Sequence, residues 1–241
     1  ATSETKPDFS LTFGASHLNI NRATEPPKKD TKPSGPKLKI NVQRRGGFKG
    51  DIQLALAGLP ENVKVFNSQI AAKKNNTELQ FIIPPMTKIA VHRLTVKGTG
   101  DLGDRNATRA ASNPAGPDHF LLGIIPPVPF KHTGRYRIVT GLPGGTTFFR
   151  HYVLERGGFD GPLTVQLADR QIRHLQGITD RIVNIPATVV EFDFPIDFPS
   201  RVEVGRTSRV QVMIIGEITD FDGTKHKISY PSSARDDQII S

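Results

Sequence analysis

Arg45-Gly46-Gly47-Phe48-Lys49-Gly50-Asp51 leads into an alternating run, Ile52 to Ala57, and Arg156-Gly157-Gly158-Phe159-Asp160-Gly161-Pro162 leads into another, Leu163 to Leu167. The two phrases stand 111 residues apart, about the length of one β-sandwich domain. Paired glycines supply the positive φ that a tight turn requires, and a following phenylalanine can plug the core beneath it. An arginine beside two glycines could also form an anion-binding loop. Appearance once per half, at the same place, favours architecture. Gly46, Gly47, Phe48 and Gly50, with Gly157, Gly158, Phe159 and Gly161, are therefore read as structural turn residues. Each set is expected to close a hairpin.

Outward from the first turn, Leu38, Ile40 and Val42 alternate with Lys39, Asn41 and Gln43, the period of a half-buried strand. Phe9 to Phe13, Leu79 to Ile83 and His92 to Lys97 read the same way. Residues 22–36 carry four prolines and read as a long exposed loop. Outward from the second turn, Phe120 to Ile125, Arg135 to Val139, Phe148 to Leu154, Val189 to Phe194, Arg209 to Ile215 and Lys225 to Tyr230 are strand candidates. Asp222-Gly223 marks a hairpin. Only Ala168 to Leu175 reads as helical. The nineteen prolines and 22 glycines are spread along the chain and suit many short strands. The expected fold is all-β, with two consecutive Ig-like antiparallel β-sandwich domains. The domains are placed at 1–100 and 118–241, with a junction at 101–117 that holds a hairpin tip at Asp101 to Asp104.

Composition narrows the chemistry. The 241 residues include no cysteine, which excludes disulfides, thiolate metal sites and cysteine nucleophiles. No apolar run approaches the ~20 residues of a bilayer-spanning helix. The chain opens on Ala1, as expected of a processed product or an excised piece. Residues 8–100 hold 15 Lys and Arg against 6 Asp and Glu, whereas residues 118–241 hold 14 against 14. A basic domain beside a neutral one invites an anionic partner, although a lysine-coated surface also serves solubility alone.

The strand order, the Arg-Gly-Gly-Phe-x-Gly phrase and Gly58-Leu59-Pro60 after the first alternating run resemble a known kind of repeat. So does the run His151-Tyr152-Val153-Leu154-Glu155-Arg156-Gly157-Gly158-Phe159, followed by Ala168 to Gly177. Together they resemble the tandem immunoglobulin-like β-sandwich repeats of large secreted proteins of planctomycete-type bacteria, which accompany pre-peptidase C-terminal modules. The second half departs from the pattern in lacking Gly-Leu-Pro and in carrying the extra segment 126–146. The resemblance implies a non-catalytic spacer, adhesive unit or support. It implies an extracytoplasmic location, which is periplasmic, cell-surface or secreted, and partners among other domains of the same polypeptide or cell-envelope proteins.

Candidate sites are few. Asp169, Arg170, Arg173 and His174 form the most chemically loaded segment and are the expected interaction residues. No serine or acid partner with a nucleophile elbow accompanies them. Glu191, Asp193 and Asp197 share one strand face, which could hold Ca²⁺ or serve a glycosidase; a solvated face opposite Phe192 and Phe194 is the plainer reading. Asp220-Phe221-Asp222-Gly223 echoes a calcium loop, but Ser229 stands where the closing glutamate belongs. The seven histidines form no i, i+4 pair. No catalytic residue, cofactor or metal site is assigned. The expected function is a non-catalytic tandem module for support or protein interaction, with carbohydrate or polyanion binding as the alternative. No nucleic-acid signal is clear. The absence of tryptophan weighs against a sugar-stacking face.

Overall fold

The computed structural model describes residues 6–28, 31–134, 137–142, 144–168, 181–198, 200–201, 204–205, 207–208, 212–231 and 237–240. Among them every regular element is a strand. The chain divides into two compact units, Ala1–Pro127 and Val128–Ser241, each with its own buried cluster. It is thus all-β, with two consecutive units, each built of strands around its own core.

Unit 1 runs β1 (Asp8–Phe13), β2 (His17–Asn21), β3 (Leu38–Arg45), β4 (Ile52–Ala57), β5 (Lys64–Phe66), β6 (Gln69–Ile70), β7 (Asn76–Ile82), β8 (Ala90–Asp101), β9 (Asn106–Ser112) and β10 (Phe120–Ile125). The apolar residues of the alternating runs point inward. Phe9, Leu11 and Phe13 meet Leu38, Ile40, Ile52, Leu54, Leu79, Leu94, Val96, Phe120 and Leu122 in one core. The first strand switches sheets at Gly14 to Ser16. Ahead of the switch, β1 pairs antiparallel with β3 and parallel with β9; beyond it, β2 pairs parallel with β10. Two parallel contacts therefore enter a plan that is otherwise antiparallel. β2 and β5 stand at the two opposite ends of the hydrogen-bonded path.

Unit 2 runs β11 (Lys131–Gly134), β12 (Arg137–Thr140), β13 (Thr146–Glu155), β14 (Leu163–Leu167), β15 (Val183–Ile185), β16 (Glu191–Phe198), β17 (Thr207–Ser208), β18 (Val212–Thr219), β19 (Lys225–Pro231) and β20 (Asp237–Ile240). One sheet is ordered β11-β13-β16, a second β15-β14-β18-β19, and a third β12-β20-β17. Phe130, Tyr152, Leu154, Leu163, Val165, Phe192, Phe194, Ile196, Val212 and Ile214 fill its core.

Three expectations are corrected. First, the glycine turn closes no hairpin. β3 bonds β1 and β7, whereas β4 bonds β6 and β8. In the same way β13 bonds β11 and β16, whereas β14 bonds β15 and β18. The turn is an arch carrying the chain from one sheet across the core to the other. The phenylalanine inside the arch makes this the stable choice. Phe48 is buried and stacks on Phe9 at 5.4 Å between ring centres, and Phe159 meets Phe130 edge-on at 5.2 Å. Such a pair contributes about 1 kcal/mol beyond the area it buries.

Second, the expected junction at 101–117 is not a linker. It contains β9, which pairs with β8 from Lys97↔Ala110 to Asp101↔Asn106. β10, expected to open the second domain, lies between β8 and β2. Its inward residues Phe120, Leu122 and Ile124 belong to the first core. The division falls after Pro127. Third, β8 runs on through Gly98 and Gly100 rather than ending at Lys97. A Cβ at Gly98 would lie 2.5 Å from Leu11 Cδ1, and one at Gly100 would lie 3.0 Å from both Phe48 and Phe9. Those glycines are in the strand because the core leaves no room for a side chain. The helix expected at Ala168 to Leu175 lies, beyond Ala168, outside the described residues.

Candidate functional site

The repeated phrase is the first place to look for chemistry, because it holds an arginine beside flexible glycines. Gly46 and Gly47 have φ of 56° and 75°, and Gly157 and Gly158 of 55° and 85°. The Phe48 N–H donates to the Arg45 carbonyl at 3.1 Å and the Phe159 N–H to the Arg156 carbonyl at 3.0 Å. Two successive positive φ values closed by that bond define a type I′ turn.

The arginines are engaged with the chain's own backbone. Arg156 donates from Nη1 to the Gly161 carbonyl at 2.8 Å, from Nε to Val189 at 3.0 Å and from Nη2 to Pro186 at 2.5 Å. Pro186 and Val189 are the first and last residues of a turn just ahead of β16, closed by Val189 N–H to Pro186 at 3.1 Å. In unit 1 the same grip is made by Arg44, not Arg45. Arg44 donates to the Gly50 carbonyl at 2.6 Å, to Ala71 at 3.2 Å, and from Nη2 and Nε to Lys74 at 3.0 and 3.1 Å. Ala71 and Lys74 close the equivalent turn ahead of β7. The Arg44 guanidinium also lies 5.1 Å from the centre of the Phe48 ring. Partial burial pushes its pKa down; the carbonyls compensate for that desolvation. Among the described residues Arg45 reaches the Gln43 side chain, at 3.3 Å, and no loop carbonyl.

The surface with the most chemical variety is the outer face of β11-β13-β16 in unit 2. Alternation along β13 turns Thr147, Phe149, His151, Val153 and Glu155 outward while Arg150, Tyr152 and Leu154 are buried. Antiparallel register sets Thr147 opposite Asp197, Phe149 opposite Pro195, His151 opposite Asp193 and Val153 opposite Glu191. The His151 ring contacts Asp193 through Nδ1 at 3.0 Å and approaches Glu191 through Nε2 at 4.0 Å. The Thr147 hydroxyl donates to Asp197 Oδ1 at 2.7 Å, and Arg181 Nε donates to its Oδ2 at 2.7 Å. At the far edge Lys131 and Glu155 pair at 2.9 Å, which holds the lysine pKa above its ordinary value. Phe149 stands 61% exposed in the middle of this face. Glu191, Asp193 and Asp197 are thus on one face, with Phe192 and Phe194 buried behind them. The carboxylates are tied to a histidine, a threonine and an arginine. Among the described residues no group of three or more histidines and carboxylates is disposed to hold a metal ion.

His151 was not singled out by sequence reasoning. Its outward phase is visible in the alternation of β13, but its partner lies 42 residues away in sequence. Asp169, Arg170, Arg173 and His174 lie outside the described residues. Asp220 and Asp222 cap a hairpin. The Asp220 N–H donates to the Thr224 carbonyl, Asp222 Oδ1 accepts from the Thr224 N–H at 3.0 Å, and Gly223 has φ of 81°.

No family model and no curated protein matches the chain. Solved structures similar to it include CBD12 from CALX1.2. That likeness has 10% identity and a TM-score of 0.35, covering 89% of this chain and 83% of the other. CBD12 of CALX1.1 is similar at 10% identity and a TM-score of 0.33, covering 86% and 80%. A Porphyromonas gingivalis protein of unknown function is similar at 11% identity and a TM-score of 0.26, covering 98% and 100%. Likeness at these values transfers no ligand and no role to this chain.

Proposed function

We propose that the chain is a non-catalytic tandem β-sandwich module that supports or binds other macromolecules. The observation that carries this reading is the arginine grip. At the glycine turn of each unit one guanidinium, that of Arg44 in the first and of Arg156 in the second, directs its donors to backbone carbonyls of the chain's own loops. His151, Asp193 and Glu191, the best acid–base group among the described residues, lie on an open sheet face. Catalysis draws its largest gains from a water-excluded cleft. Neighbouring domains of the same polypeptide or cell-envelope proteins, met outside the cytoplasm, are the partners and place this reading favours.

The test is a panel of ester, peptide, phosphoester and glycoside substrates, run on the full chain and on His151→Ala. Both are expected to give rates at the uncatalysed background. Turnover by the full chain that disappears in His151→Ala would overturn the proposal.

A second reading, polyanion binding by unit 1, rests on charge. Residues 1–127 hold 18 Lys and Arg against 10 Asp and Glu, and residues 128–241 hold 14 against 13. Retention on immobilised heparin that falls steeply with salt supports this reading, and passage through the column at low salt dismisses it.

A further inference from the structure

We infer that the glycine corner of unit 1 binds a sulfated polysaccharide chain through Lys49, Lys73 and Lys74, which rests on the polyanion reading and gives it a site. Three observations meet there. The first is placement. Backbone bonds cross-link the arch that follows β3 to the turn ahead of β7. The Lys73 N–H donates to the Lys49 carbonyl at 3.1 Å, and the Lys74 N–H to the Ala71 carbonyl at 3.0 Å. The Ala72 N–H donates to Asp51 Oδ1 at 2.5 Å, and Arg44 holds the Gly50, Ala71 and Lys74 carbonyls. Lysines from two separate loops are thereby fixed at one corner.

The second observation is that these lysines hold nothing in the fold. All three are exposed, and among the described residues no carboxylate, carbonyl or ring engages their side chains. Unit 2 builds the same corner with Asp160, Thr188 and Val189 in the three places. The corner itself therefore needs no lysine. Lys73 has φ of 65°, a conformation that glycine or asparagine takes with less strain. A cation kept there at a backbone cost, with no partner inside the chain, points to a partner outside it.

The third observation is the surroundings. Asp51 is the one carboxylate of the arch and turn, and the Ala72 N–H holds it. A Cβ on Gly50 would lie 3.5 Å from the Asp101 carbonyl oxygen, so the β8–β9 tip, with Asp101, Asp104 and Arg105, reaches the same end. Asp101 accepts from the Gly103 N–H at 2.8 Å. Arg45 stands opposite Asp8, which Arg109 holds at 3.0 Å. The strands entering the corner, β3, β4 and β7, are each paired on both sides, so no edge is offered to a peptide strand. Among the described residues of unit 1 no phenylalanine or tyrosine ring is exposed on which a base could stack. The exposed Met86, Val91, Leu121 and Ile125 follow or pair with the far ends of β7 and β8. They are roughly 20–30 Å along those strands from the corner, so no apolar surface accompanies the lysines into a membrane. Sulfates spaced along a sugar chain meet open ammoniums by charge alone, and three rotatable donors suit any oxygen orientation.

The experiment uses the full chain and a short fluorescein-labelled heparin oligosaccharide, read by fluorescence anisotropy across a salt series. The inference requires saturable binding at low salt. Lys49→Gln with Lys73→Asn and Lys74→Gln should cost at least about tenfold in affinity and lower the salt slope by about one per lysine. The melting temperature should stay the same or rise, since asparagine relaxes position 73. A control of equal charge, Lys64→Gln with Lys88→Gln and Arg93→Gln, should cost less than about twofold. Acetylation of the unmodified chain gives an independent readout should the corner variant fold poorly. The oligosaccharide must slow modification of Lys49, Lys73 and Lys74 more than that of Lys64 and Lys88.

An equal loss in the control variant, or no protection of the three lysines, overturns the site and leaves the polyanion reading standing. A single-stranded oligonucleotide or a polyglutamate peptide of equal charge that binds as tightly overturns the sulfated chain as the occupant. No binding by the unmodified chain at low salt overturns the inference and the polyanion reading together. The non-catalytic reading is untouched by any of these results, since it stands or falls on turnover.

Discussion

The two units share one corner and differ in what they show the solvent. In both, a type I′ Gly-Gly turn carries the chain between sheets, a phenylalanine fills the space beneath, and a guanidinium grips the turn ahead of the strand that follows. The equivalence extends to glycines inside strands. Gly100 sits opposite Ile52, and a Cβ there would meet Phe48 and Phe9. A Cβ at Gly216 would meet Phe130 at 2.8 Å and Leu163 at 2.9 Å. Outside the corner the resemblance ends. Unit 1 is basic, and among the described residues β2 ends its hydrogen-bonded path. Unit 2 turns an ionic face outward, with His151 set between two carboxylates. A sandwich can vary its outward rows freely, because the fold is set by the inward rows and by the corner that joins the sheets.

The comparison can be broken most severely at Gly157. Its φ is in the left-handed region, and an added Cβ would stand 2.0 Å from the Pro129 carbonyl oxygen. At Gly158 nothing would lie within 4 Å of a Cβ, although φ is again positive. Gly157→Ala is therefore expected to cost unit 2 about 3 kcal/mol or more. Gly158→Ala should cost only the backbone term of about 1 kcal/mol. Denaturant unfolding with hydrogen exchange read in β14 and β18 separates them, and equal costs at both positions would refute the crowding at Pro129.

Next in size is the arginine grip, where the comparison becomes sharper than the sequence repeat. Arg156→Ala and Arg44→Ala each strip a charged donor from several loop carbonyls and should cost about 2–3 kcal/mol in their own unit. Arg45→Ala should cost no more than about 0.5 kcal/mol. A reversed order of Arg44 and Arg45 would show that the alignment of the two phrases, not the observed contacts, gives the true equivalence.

The smallest effect is the acid response of unit 1. The Arg109 side chain holds the Asp8 carboxyl below its ordinary 3.8, and Lys37 holds Glu78 below 4.5. On acidification the unfolded chain takes up these protons first, so the stabilisation is present above the ordinary values and is lost as pH falls through the lower folded ones. Asp8→Asn with Glu78→Gln should flatten the fall of the unit 1 melting temperature between about pH 6 and 3. The pairs are exposed, which keeps the change small. An unaltered slope would show that the pairs do not form in solution.

Much of the architecture was legible in the residues. Leu38, Ile40 and Val42, or Phe192, Phe194 and Ile196, announce which side is buried because strand period is a local property. The positive φ of the paired glycines was legible too, since two adjacent positive φ values leave glycine almost without competitors, although the hairpin expected there does not form. The junction was misplaced for a related reason. Gly98, Gly100 and the small residues of 106–112 look like linker composition, and only the crowding by Leu11, Phe9 and Phe48 shows why a strand there must lack side chains. The segment 169–174, chosen for its mixture of Asp, Arg and His, lies beyond the described residues, while His151 went unmarked because nothing near it in sequence hints at Asp193.

By itself the sequence determined the all-β class, the two repeats, the inward and outward rows and the exclusion of cysteine chemistry, since each follows from side-chain type and spacing of a few residues. Only the tertiary structure decided which sheet each strand joins, that the glycine turn is an arch, that Arg44 takes the part Arg45 seemed to hold, and which charged groups meet on a face. Those outcomes depend on register between strands that are distant along the chain, and register is chosen by how whole rows of side chains fill a shared core.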